Sequence, residues 1–104
     1  MTYKNLITIK NPASEMHFKE ALDIALVSAS YEMRVAVFID EKVIENDEYQ
    51  SSVELAQSFN MLAEFSVPLF SDTTTDKPST FYNNQLQPIA LSVLQKSSKH
   101  QLVF

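Results

Sequence analysis

The chain of 104 residues contains no cysteine and no glycine. Without a thiol there are no disulfides, no thiolate nucleophile, no zinc–cysteine site and no iron–sulfur ligation. Without glycine there is no phosphate-cradling loop and no dinucleotide fingerprint, because both need a backbone that a ligand can approach closely. Tryptophan is also missing, and basic residues are few: 8 Lys and Arg against 13 Asp and Glu give a net charge of −5. No Lys/Arg cluster stands out along the sequence, so direct binding of nucleic acid is not expected. No apolar run approaches the ~20 residues that span a bilayer, and no membrane association is expected. The opening Met1-Thr2-Tyr3-Lys4-Asn5 leads into a strand-like run without the apolar stretch of a signal peptide, which sets the expectation of a cytoplasmic protein.

What is present is 45% apolar residues and 20% charged residues, the composition of an ordered globular chain. The length suits one domain over 1–104. The clearest element is Val35-Ala36-Val37-Phe38-Ile39. Its apolar residues run without alternation, as in a strand covered on both faces within a parallel sheet. Before it, residues 6–9 read as a first strand. A helix then runs to about Ser30, with either Asn11 (followed by Pro12) or Ser14 as its cap. Phe18, Leu22, Ala25, Leu26 and Ala29 form its inward stripe, and Ile24, Val27 and Tyr31 form a second apolar stripe beside it.

Asp40-Glu41-Lys42 reads as a polar turn, Val43-Ile44 as a short apolar pair, and residues 45–48 as an acidic loop. Ser51 and Glu54 have capping-box spacing and open a second helix, with Leu55, Phe59 and Leu62 inward. A third strand over 67–70 follows, with Pro68 at its start or near an edge. Residues 71–80 read as a loop, Thr80-Phe81-Tyr82 as a brief extended piece, and Gln87-Pro88 as the start of another helix carrying Ile89, Ala90, Val93 and Leu94 inward. Leu102-Val103-Phe104 closes the chain as a strand. The sum is a three-layer α/β/α sandwich on a mostly parallel sheet of four to five strands.

Ligands of open parallel sheets bind beyond the carboxyl ends of the strands. Those ends carry Asn11, Ser14, Asp40, Ser71 and Asp72, the candidate ligand-binding residues. The same residue types also make caps and turns. The acidic residues at 40–48 lack the spacing and the glycine of a calcium loop, so no metal is expected. His17 and His100 have no matched nucleophile, and no catalytic residues or cofactor are expected.

The order of segments resembles the DsrE/DsrF-like family, nearest its TusC/DsrF branch. The likeness rests on the first strand ending in Asn11-Pro12, the helix over 18–30, and Arg34-Val35-Ala36-Val37-Phe38-Ile39-Asp40 followed by Val43-Ile44. The helix ending Met61-Leu62-Ala63-Glu64-Phe65, and Leu102-Val103-Phe104 at the end, match in order as well. The resemblance implies a subunit of a sulfur-relay assembly, in tRNA thiolation or sulfur oxidation. In that family, related subunits associate, and one type carries a persulfide on a cysteine after the third strand. Here the matching window is Phe70-Ser71-Asp72, and a serine hydroxyl has far too high a pKa to exchange sulfur. The reading is therefore a non-enzymatic subunit whose partners are sister chains of the same fold or itself, with Ile24, Val27, Tyr31, Val43 and Ile44 as candidate interface residues. The alternatives are a small-ligand or enzymatic site at the strand ends, or a diverged homo-oligomer without the family function.

Overall fold

The computed structural model describes residues 2–72 and 79–104. Its strands are β1 (Tyr3–Ile9), β2 (Val35–Ile39), β3 (Leu69–Ser71), β4 (Ser79–Phe81), β5 (Asn84–Pro88) and β6 (Ser98–Val103). Its helices are α1 (Glu15–Ser30), α2 (Glu41–Glu45), α3 (Val53–Glu64) and α4 (Leu91–Lys96), with a 3-10 turn at Asp47–Tyr49. The sheet order is β4-β5-β3-β2-β1-β6, parallel throughout except for the antiparallel β4–β5 hairpin.

All five residues of β2 are buried, because its alternate side chains enter two separate cores. Val35, Val37 and Ile39 join Ile7, Phe18, Leu22, Phe59 and Leu62 beneath α1 and α3. Ala36 and Phe38 join Tyr3, Leu6, Phe70 and Leu94 beneath α4 on the opposite face. The three-layer α/β/α arrangement with a mostly parallel sheet thus holds, with six strands where four to five were expected. The additional strand is β5. Gln87-Pro88, expected to open a helix, instead ends this strand, and Leu86 is its one buried side chain. Backbone pairing on both sides, with β3 and β4, holds it in place.

Other boundaries also differ. The third strand is Leu69–Ser71 and lies inside the sheet; Pro68 sits just outside it, its carbonyl accepting the Val37 N–H at 3.1 Å. Ser14, rather than Asn11, caps α1 by accepting the His17 N–H at 3.1 Å. Ser52, rather than Ser51, caps α3 by accepting the Leu55 N–H at 3.1 Å. Residues 40–45, read as a turn and an apolar pair, form α2 with Asp40 as cap. Val93 is 50% exposed, so only Leu94 of α4 is fully inward. Of the loop expected at 71–80, both ends are strand, and 73–78 lie outside the described residues.

The absence of glycine does not remove left-handed backbone. Glu32, Ser66, Tyr82 and Asn83 have φ of 62°, 56°, 49° and 63°. Glu32 and Ser66 each end a helix in a Schellman motif. The Glu32 and Met33 N–H groups donate to Ala29 O and Ser28 O at 2.9 and 3.1 Å, and the Ser66 and Val67 N–H groups to Ala63 O and Leu62 O, both at 3.0 Å. Tyr82 and Asn83 form the two-residue turn between β4 and β5, where positive φ at both positions matches the strand twist.

Ser66 is exposed and strained, which makes it a direct probe of this cost. Relief of ~1–2 kcal/mol of left-handed strain, less ~0.4–1 kcal/mol of added unfolded-state entropy, predicts that Ser66→Gly stabilises by about 1 kcal/mol. For a chain of this size the melting temperature should rise by about 4 °C or more. A lower value in thermal denaturation would refute the strain argument.

Candidate functional site at the carboxyl ends of the strands

Beyond the carboxyl ends of β1 and β2 lies a cavity of about 510 Å³, with Lys10, Asn11, Asp40, Lys42 and Tyr49 among its walls. Asn11 is placed by the end of β1, where the N–H groups of Lys10 and Asn11 both donate to the carbonyl of Phe104, at 2.7 and 2.9 Å. Asp40 follows β2 directly, and its Oδ1 accepts the Lys42 N–H at 2.9 Å. Tyr49 closes the floor: it is 5% exposed, and its hydroxyl donates to Pro12 O at 3.4 Å. Burial, then the charges of Glu48 and Glu15, push its phenol pKa upward, so it remains a neutral donor.

Of the five residues expected at this rim, Asn11 and Asp40 line the cavity. Ser14 is engaged as the helix cap. Ser71 is 4% exposed within β3, between β2 and β5. Asp72 is electrostatically joined to the rim. Its pKa is raised first by burial and then by the charges of Asp40 and Glu41, against the opposing pull of a Glu41 backbone hydrogen bond and of Lys10. The sequence reading missed Tyr49 and Lys42 as walls; the acidic loop around them carried no signal beyond polarity.

The walls mix cations, carboxylates and amides with the apolar Pro12, Ala13 and Val43. Among the described residues, no group of three or more His, Asp or Glu is placed to hold a metal ion. The two imidazoles lie toward opposite ends of β1. His17 Nδ1 accepts the Ala13 N–H at 3.0 Å near this rim, whereas His100 on β6 pairs with Asn5.

The candidate interface residues separate into two groups. Ile24, Val27 and Tyr31 stand on the outer side of α1, 36%, 56% and 73% exposed. Val43 does not reach the surface: α2 turns it into the main core at 4% exposure, and Ile44 packs half-buried against the same core. Among the described residues, no helix is long and apolar enough to cross a membrane.

No family model matches the sequence, and no curated protein matches it. The fold is similar to the crystal structure of the YchN protein from E. coli, with a TM-score of 0.71 at 14% identity, covering 100% of both chains. The likeness gives the two chains the same α/β fold. At such identity the likeness speaks for fold alone.

Asp72 gives the rim a pH signature. Its folded pKa lies above the ordinary 3.8, so the native state holds the proton more tightly than the unfolded chain. Its contribution to stability is therefore fully present below the ordinary 3.8 and is lost as pH rises through the higher folded value. Asp72→Asn should raise the melting temperature at pH 7 and leave it nearly unchanged at pH 3, as read by thermal melts across that range. An equal effect at both pH values would refute the electrostatic cause.

Proposed function

We propose that this chain is a non-catalytic subunit of a sulfur-relay assembly, in tRNA thiolation or sulfur oxidation, acting by association with sister subunits of its own fold or with itself. The observation that carries this reading is the end of β3. Where the resemblance calls for a persulfide cysteine, the chain has Phe70-Ser71-Asp72, and the Ser71 side chain is buried at 4% exposure. A buried hydroxyl can neither carry sulfur nor present it to an acceptor. Association is supported by the exposed apolar stripe of Ile24, Val27 and Tyr31, whose spacing along α1 exceeds what the covered face of the helix uses.

A second reading is favoured by the cavity of about 510 Å³ at the carboxyl rim, with Asn11 and Asp40 in its wall. In it, the chain binds a small polar ligand there.

Co-expression with DsrE/DsrF-like sister chains that carry a cysteine after the third strand, followed by size exclusion with light scattering, tests the first reading. A complex or a self-oligomer is expected. Val27→Asp should weaken it at least about tenfold, because a charge is buried unpaired, and should leave the monomer's melting temperature unchanged. A strictly monomeric chain that captures no sister subunit refutes the reading.

A further inference from the structure

The opposite end of the sheet carries a feature that the sequence disperses. Lys4 on β1 and Lys99 on β6 lie side by side with Arg34, which immediately precedes β2. The Lys4 and Asn5 N–H groups both donate to the Arg34 carbonyl, at 2.7 and 3.3 Å, which sets Arg34 against Lys4. The pairing of Tyr3 with Ser98 and of Asn5 with His100 sets Lys4 beside Lys99. Adjacent strands are ~4.8 Å apart, so three cations stand in a row. The Lys19–Asp23 ion pair, at 3.2 Å, lies away from this row, and among the described residues no carboxylate is within ion-pair distance of Lys4, Arg34 or Lys99. Like charges placed directly opposite each other destabilise a sheet. In a chain of net charge −5, three of the 8 basic residues are gathered here.

The row borders a cavity of about 230 Å³ walled by Lys4, Arg34 and Lys99. Tyr3, Met33 and Arg34 also line a larger groove of about 530 Å³, whose walls include Phe65, Val67 and Phe70. The Arg34 guanidinium lies 5.5 Å from the centroid of the Tyr3 ring, and Tyr3 meets Phe70 edge-on at 6.4 Å, so the cationic end is joined to the apolar groove by packed rings. Glu32, the one carboxylate on either wall, lies on the groove side, as do the carboxyl ends of α1 and α3 with their partial negative charge. Arg34 lines both spaces, while Lys4 and Lys99 line only the smaller cavity and Glu32 only the groove.

We infer that this end of the sheet is a binding site for a small ligand bearing an oxyanion group, held by Lys4, Arg34 and Lys99, with an apolar or aromatic body lying in the groove beside Phe65 and Phe70. The proposal stands independently of the subunit role. The anion bridges the cation row and removes its repulsion, and the body covers the Phe65 ring, which is 47% exposed.

Isothermal titration with 1-naphthyl phosphate, inorganic phosphate and 1-naphthol tests it. Naphthyl phosphate should bind saturably and inorganic phosphate should compete with it. Lys4→Glu and Lys99→Glu should each weaken it at least about tenfold, and Phe65→Ser should weaken the naphthyl ester without changing inorganic phosphate. Lys4→Glu also sets a carboxylate against Arg34 and should melt about 2 °C higher or more, which separates lost binding from lost fold. No binding, equal binding of 1-naphthol, unchanged affinity in the charge reversals, an unchanged ester affinity in Phe65→Ser, or a lower melting temperature for Lys4→Glu would each overturn the proposal.

Discussion

The packing of Phe18 against Phe59 is the contact on which the remaining architecture rests. Their rings meet edge-on at 6.1 Å and bring α1 and α3 together over the sheet. Three further rings close around them from segments with no apolar periodicity of their own. Tyr49 lies against Phe18 at 5.3 Å, Phe81 against Phe59 at 5.3 Å, and Tyr82 stacks on Phe59 at 5.5 Å. Edge-on and offset pairs of this kind add ~0.5–1.5 kcal/mol each beyond the area they bury. The cluster thereby fastens the β4–β5 hairpin and the 3-10 turn to the two long helices. The Tyr82 hydroxyl extends the link: it accepts the Ser52 N–H at 2.9 Å and donates to the Tyr49 carbonyl, fixing the point where α3 begins.

This arrangement explains which elements were legible in the sequence. Val35–Ile39 and the inward stripes of α1 and α3 declare themselves because side-chain burial alone determines them. Strand β5 does not, because Asn84–Pro88 has one apolar residue facing the core and is held by backbone pairing that no side-chain pattern reports. Helix α2 escapes for a related reason: five residues are too few to show a period, and Asp40 caps a helix with the same side-chain chemistry it would use in a turn. At the carboxyl rim, the general rule for parallel sheets located Asn11 and Asp40. It could not show that Ser14 is committed to a cap or that Ser71 is sealed between β2 and β5. The amino-edge cations were invisible for a plain reason. Positions 4, 34 and 99 become neighbours only through strand register.

The two ends of the sheet differ in physical character. The carboxyl rim alternates charges of both signs around a buried phenol, Tyr49, that burial and nearby carboxylates keep neutral. At the amino edge Lys4 and Lys99 line the smaller cavity, Glu32 lines the groove, and Arg34 lines both. The outer side of α1 presents Val27 and Tyr31 to solvent, away from the face it packs on the sheet. Among the described residues, the carboxyl rim, the amino edge and the outer side of α1 thus differ from one another in charge and polarity.

The lack of glycine also acts on the denatured chain. An average sequence of this length would hold roughly seven glycines. Replacing each by a residue with a side chain narrows the unfolded ensemble by ~0.4–1 kcal/mol, or roughly 3–7 kcal/mol in total. The left-handed backbone at Glu32, Ser66, Tyr82 and Asn83 withdraws a similar amount, roughly 4–8 kcal/mol at ~1–2 kcal/mol for each. The chain thus exchanges local strain at four residues in three native turns for a stiffer disordered state. By these figures the two effects nearly offset, and the margin of stability is left to the contacts that the folded chain makes.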